Sequence, residues 1–260
     1  MGQKSNTTTL RGTNRPLNLY LSNPKLFTKL TMFLDRLNDL LTTKNILVLD
    51  KTLNIVNNSC YISLELFYKS IKTASYKKKY INLIYKKNIR SKLLSIFSAL
   101  NQSIFIITLK NMNKQVNKAV LSFIYSKLKM FISTIFSRRF NLFIDFLKLT
   151  SLLVEKKIDA NQYIRILANV FKLLPKQSHT RYLFFLKYTF KVLTSDQLDN
   201  RVKGIKFVIQ GKLQGKPRST VYSIKEGSVS VQKLTQDISF SRAHAYTLLG
   251  AFGLRIWISR

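Results

Sequence analysis

The chain has 260 residues, with 44 Lys and Arg against 11 Asp and Glu, and a formal net charge of +33. Charge of that size repels itself unless a polyanion neutralises it, which makes nucleic acid the leading partner class and an anionic membrane surface the competitor. A single cysteine, Cys60, and two histidines, His179 and His244, exclude an internal disulfide and leave a structural zinc, with its need for about four such ligands, nearly excluded.

The charge is uneven. No Asp or Glu lies between Glu65 and Asp145, where every charged residue is Lys or Arg. A charge run is usually a solvated face, but a run this long with nothing acidic interspersed favours a polyanion footprint. Hydrophobic residues make up 46% of the chain, enough for a core, so this is not a disordered basic tail. Lys, Arg or Asn interrupts every apolar run well before the roughly 20 residues of a membrane span.

In chain order, residues 1–16 read as an extended basic arm carrying Lys4, Arg11 and Arg15. Phe27 to Leu41 has helical spacing, with Leu30, Phe33, Leu34, Leu37, Leu40 and Leu41 apolar. Asn45 to Asp50 and Tyr61 to Tyr68 predict strands, and Cys60 beside the second is read as a small core residue. Ile89 to Leu100 predicts a helix, and Ser103 to Leu109 a strand rich in β-formers. Four helices follow: Asn113 to Phe136, Leu142 to Leu153, Ile158 to Leu174 (stopped by Pro175), and Thr180 to Leu193.

The texture then changes. No glycine occurs between Gly12 and Gly204, whereas Gly204, Gly211, Gly215, Gly227, Gly250 and Gly253 punctuate the tail. Strands are predicted at Ile205 to Gln210, Ser219 to Ile224, Asp237 to Phe240 and Leu254 to Ile258, with turns at Gly211, Gly215 and Gly227. The fold class is α+β, with a compact C-terminal domain from about residue 176.

That tail carries a recognisable pattern. It runs Lys203-Gly204-Ile205-Lys206, Gly211-Lys212-Leu213-Gln214-Gly215, Glu226-Gly227 and Leu234-Thr235-Gln236-Asp237-Ile238-Ser239-Phe240. It closes on Ala245-Tyr246-Thr247, Gly250, Gly253 and Trp257-Ile258. In order and spacing, without a gap from Lys203 onward, it resembles the C-terminal domain of the small-subunit ribosomal protein three family. Ser239 and His244 stand where that family carries acidic residues. The start, Met1-Gly2-Gln3-Lys4 and then Arg11-Gly12, resembles the family's own and argues against a cleaved targeting peptide.

The resemblance implies four segments: a basic arm at 1–19, a KH-like domain of type II at 20–135, a helical insertion at 136–175, and the C-terminal domain, a helix followed by a β-sheet, at 176–260. The family's KH loop is Gly-x-x-Gly, which lets a nucleic-acid backbone approach the protein backbone. Tyr85-Lys86-Lys87-Asn88 stands in its place, both glycines lost, so the KH domain is expected in degenerate form. Lys86 and Lys87 read equally well as phosphate contacts and as an ordinary basic turn. In bacterial relatives a basic helix ahead of the C-terminal sheet lines the path of the incoming messenger. Lys187 and Lys191, one turn apart, fall at its basic positions, and Arg181 begins an alternative alignment. A core helix with two snorkelling lysines fits them as well.

The implied function is structural: Lys and Arg neutralise phosphates of small-subunit ribosomal RNA in the head, near where messenger RNA enters. The expected contacts are Lys4, Arg11, Arg15, Lys86, Lys87, Arg181, Lys187, Lys191, Lys203, Lys206, Lys212, Lys216, Arg218 and Arg255. Expected neighbours are head proteins ten and fourteen and lineage-specific mitochondrial ribosomal proteins. Abundant Lys, Asn, Ile and Phe, with AT-rich codons, point to an organelle-encoded protein, mitochondrial ahead of plastid.

No phosphate loop, paired histidines, zinc-protease motif or nucleophile elbow appears, so no cofactor, metal or catalytic residue is expected and an enzyme is the least favoured class. His179 is read as a surface or capping residue, and Phe184, Phe185 and Tyr188 as core residues or base-stacking rings. An extraribosomal RNA-binding factor and a peripheral membrane protein using Asn113 to Phe136 are the rival readings.

Overall fold

The computed structural model describes residues 46–56, 59–68, 104–135, 140–175, 178–195, 202–213, 220–247 and 250–260, with single positions 32 and 91. The expected helices at Phe27 to Leu41 and Ile89 to Leu100, the basic arm and the Tyr85–Asn88 loop lie outside the described residues, as does the side chain of Cys60. The chain divides into two units, one spanning Arg15–Gln115 and the other containing Val116–Arg260.

The first unit holds β1 (Ile46–Val56), β2 (Ser59–Tyr68), β3 (Ile104–Asn111) and a 3-10 turn at Met112–Gln115. The sheet order is β1-β2-β3. β1 and β2 pair antiparallel, with an irregularity between Val48 and Asp50. β2 and β3 run parallel. Along β2, Ile62, Leu64 and Leu66 are buried, as the alternation predicts. Glu65 faces Lys110 across the parallel pair and accepts from its Nζ at 2.8 Å. Asn113 closes the unit: its Nδ2 donates to the Tyr68 carbonyl and its Oδ1 accepts from the Tyr68 N–H, both at 2.9 Å.

The second unit holds α1 (Lys118–Ile135), α2 (Phe140–Val154), α3 (Ala160–Leu173) and α4 (His179–Leu193). They precede β4 (Gly204–Gly211), β5 (Thr220–Gly227), β6 (Ile238–Thr247) and β7 (Gly250–Ser259). The sheet order is β5-β4-β7-β6, and every pair is antiparallel. β6 and β7 are each longer than the expected strands at Asp237 to Phe240 and Leu254 to Ile258: β6 continues through Arg242 and His244, both exposed, to Thr247, and β7 begins at Gly250.

One face of the sheet is apolar. Ile205, Phe207 and Ile209 of β4 and Phe252, Leu254, Ile256 and Ile258 of β7 are all buried. α3 and α4 supply the opposing surface. α4 buries Tyr182, Phe185, Leu186, Thr189, Phe190 and Leu193, a stripe at helical spacing, and Phe190 meets Phe207 at 6.2 Å between ring centroids. α3 packs along β6 and β7. Its start is fixed by the Asp159 N–H donating to Gln162 Oε1 at 3.1 Å, and the Ser241 hydroxyl donates to Asn161 Oδ1 at 3.1 Å. Within the expected 136–175 insertion, α3 therefore contributes a layer to the same core as the C-terminal sheet. Phe146 of α2, Tyr163 and Phe171 of α3, and Tyr182 and Phe185 of α4 join in an aromatic cluster with centroids about 5–6 Å apart.

His179 departs from its expected surface position. It is buried at the start of α4, edge-on to Phe252 at 5.4 Å and 6.2 Å from Phe171. Burial holds its pKa below the ordinary imidazole value and outweighs the opposing pull of the Leu174 backbone; neither ring nitrogen makes a full hydrogen bond. The folded state therefore favours the neutral ring, and the unfolded chain takes up the proton first as pH falls. Stability contributed here is complete above the unfolded value of about 6.5 and is lost as pH drops through and below it. Urea titrations across pH 5–8 should show that loss, and His179→Gln should flatten it.

Gly227 ends β5 with φ +71°, and a Cβ there would lie 2.2 Å from the Lys203 carbonyl oxygen. That oxygen is already committed to the Ser228 N–H at 3.0 Å, and the Lys203 N–H to the Ser259 carbonyl at 2.9 Å, so neither side can give way. Gly227→Ala should cost about 1–3 kcal/mol in denaturant unfolding, the scale of a strained backbone position.

Candidate nucleic-acid interface

The helices cover one side of the β4–β7 sheet, and the alternation of strand residues delivers the opposite side to solvent. Strand pairing fixes which residues share that open face. Lys225, Lys206, Trp257 and Phe240 form one row across the four strands, and Ser223, Val208, Arg255 and Arg242 form the next. Val221, Gln210, Gly253 and His244 follow, then Ala251 and Tyr246. No Asp or Glu lies on this face among the described residues. Lys225, Arg242, His244 and Arg255 are exposed, and Tyr246 is 71% exposed.

Two direct cross-strand pairs carry like charge: Lys206 opposite Lys225, and Arg242 opposite Arg255. Such pairs disfavour the sheet, by roughly 0.2–1 kcal/mol each in exposed positions, unless an anion sits between them. Between the pairs stands an aromatic patch. Phe240 and Trp257 lie 5.0 Å apart with rings tilted 37°, and Lys206 Nζ sits 5.2 Å from the Trp257 ring centroid.

A second cationic strip runs along the outside of α4, where Arg181, Lys187 and Lys191 are exposed. Phe184 and Tyr188 interleave with them at 56% and 39% exposure, whereas Phe185 is buried in the core. The apolar stripe of the same helix is sunk against the sheet, so this strip and the open sheet face are separated by the core.

The expected contact residues are thus dispersed. Lys206 and Arg255 share the open face, and Arg181, Lys187 and Lys191 share α4. Lys203 and Lys212 are exposed but flank opposite ends of β4, roughly 30 Å apart by strand rise. Lys4, Arg11, Arg15, Lys86, Lys87, Lys216 and Arg218 lie outside the described residues. Sequence reasoning overlooked Lys225, Arg242, His244, Phe240 and Tyr246. The signal was present in the period-two run Phe240-x-Arg242-x-His244-x-Tyr246, which a longer strand assignment would have exposed.

Among the described residues, no group of three His, Cys, Asp or Glu is placed to hold a metal ion, and no helix is long and apolar enough to cross a membrane. An apolar cleft of about 320 Å³ between α1 and α2 offers one lysine, Lys118, and no acid–base pair.

Helices on one face of an antiparallel sheet and exposed cations on the other define an α+β domain with a cationic face. Residues 184–258 match the family described as "Ribosomal protein S3, C-terminal domain". Over 70 residues the chain is 34% identical to the small ribosomal subunit protein uS3 of Mycoplasmopsis agalactiae, covering 27% of this chain and 32% of that protein. It is 41% identical over 59 residues to the uS3c protein of Chlorella vulgaris, covering 23% and 26%. It is 31% identical over 70 residues to uS3 of Neorickettsia sennetsu, covering 27% and 33%. The similarity therefore spans about a third or less of these relatives' length. The likeness to these proteins thus rests on the C-terminal part of the chain, residues 184–258, which is similar to the C-terminal domain of ribosomal protein S3.

The like-charge pairs make a direct prediction. Arg242→Gln should raise the melting temperature of the isolated protein by a degree or two at low salt, since about 1 kcal/mol moves a domain of this size by a few degrees. The gain should shrink as salt screens the pair. A fall in melting temperature at low salt would mean that Arg242 is neutralised within the protein.

Proposed function

We propose that the protein is a structural constituent of the small subunit of a mitochondrial ribosome, binding small-subunit ribosomal RNA in the head. The match of residues 184–258 to the S3 C-terminal domain carries this reading. The net charge of +33 and the acid-free open face of the β4–β7 sheet support RNA as the polyanion. The S3 family is one of structural ribosomal proteins, so no catalytic role is assigned. The relatives include bacterial and plastid-type proteins; divergence outside the C-terminal domain and the richness in residues with AT-rich codons favour the mitochondrion.

The first unit is read as a degenerate KH-like domain. Its antiparallel β1–β2 pair and parallel β2–β3 pair support that reading. The α4 strip of Arg181, Lys187 and Lys191 is read as facing messenger RNA where it enters, with head proteins ten and fourteen as neighbours.

Sedimentation of an organelle lysate at moderate and high salt, with the protein tracked by mass spectrometry, tests the main reading. It should migrate with the small subunit and stay there at high salt; migration at the top of the gradient or with membranes would overturn it. For the α4 strip, ribosomes carrying Lys187→Gln with Lys191→Gln should translate unstructured messengers normally and slow several-fold on messengers with a downstream duplex. Equal rates on both would remove α4 from the messenger path.

A further inference from the structure

We infer that the open face of the β4–β7 sheet holds an unpaired RNA nucleotide, its base against the Phe240–Trp257 ring pair and its flanking phosphates at the Lys206–Lys225 and Arg242–Arg255 pairs. This deepens the proposed ribosomal role and rests on it. Three observations converge. First, two cross-strand cation pairs lie on one face with no carboxylate beside them among the described residues, which a bound anion would relieve. Second, Phe240 and Trp257 adjoin the Arg pair on the same two strands, two residues along each, so ring faces and guanidinium groups lie within one nucleotide's reach. Third, Phe240 and Trp257 are half-buried, not sunk in the core, and Lys206 Nζ lies 5.2 Å from the Trp257 ring centroid, which puts a cation beside the rings.

A duplex offers phosphates but keeps its bases stacked inside. An unpaired nucleotide offers both, and stacking on an aromatic side chain is tolerant of base identity. The combination of rings and paired cations therefore fits a single-stranded loop or bulge better than a helix.

Trp257 is the only tryptophan in the chain, so its emission reports on this face alone. The full chain, freed of co-purified RNA, is titrated with a labelled uridine-rich single strand and with a matched duplex. Label anisotropy reads binding anywhere on the protein, and Trp257 emission reads occupancy of the face. The single strand should quench Trp257 saturably, with the same midpoint as the anisotropy. Phe240→Ala should weaken single-strand binding about fivefold or more while leaving duplex binding nearly unchanged, the scale of one lost stacking contact. Arg242→Gln with Arg255→Gln, both on the solvent side, should lower the salt slope by about 0.7 for the one phosphate that this pair holds on a single strand. RNA binding with Trp257 emission unchanged, or equal losses for strand and duplex in Phe240→Ala, overturns this inference and leaves the ribosomal reading standing. Failure to bind either RNA by anisotropy overturns both.

Discussion

The two-sidedness of the β4–β7 sheet governs the second unit. Alternate residues send Ile205, Phe207, Ile209, Phe252, Leu254, Ile256 and Ile258 inward. The intervening positions carry Lys206, Arg255, Trp257, Arg242 and Lys225 outward. A shift of one residue in register would bury four cations and expose the core, so register is set by burial rather than by any single hydrogen bond. The tight closure at Gly227 and the Lys203–Ser259 and Ser228–Lys203 bonds hold one end of that register. What the outward face can bind follows from the same alternation that builds the core.

The inward face also sets what the helices may be. α4 must present a broad apolar stripe to β4, and that leaves only its outer side for Arg181, Phe184, Lys187, Tyr188 and Lys191. α3 covers β6, where the inward residues Ser241, Ala243 and Ala245 are small, and also packs on β7. Small side chains let the helix approach closely, and the polar Ser241 is satisfied by Asn161. A sheet this wide needs both helices, which explains why a stretch that resembles nothing in the family pattern is nonetheless part of the core.

The elements themselves were legible because each has a strong period. The strands Tyr61 to Tyr68 and Ser103 to Leu109, and the four helices from Asn113 to Leu193, fall within a few residues of where spacing puts them. Strand ends were not legible. Burial truncates an apolar run where a strand continues as a solvent-facing ribbon, and β6 beyond Phe240 is such a case. His179 was misread for a related reason: nothing local tells a helix-start histidine that it will be pressed against Phe252, some seventy residues on. The family pattern, by contrast, was legible from glycines, because close approaches such as Gly227 to Lys203 tolerate no other residue.

Cation pairs facing each other across strands lower the stability of an isolated protein, so their retention on an acid-free face is informative about the assembled state. With a net charge of +33, adding a carboxylate to that face would ease self-repulsion at once. At His244 and Ser239, where the family carries acids, this chain has gone the other way, and His244 lies on the open face. An excess of positive charge that grows where neutralisation would be simplest supports the proposed reading of RNA as the partner. A phosphate backbone held against the sheet would offset the repulsion, whereas a transient ligand would leave it uncompensated whenever it departed.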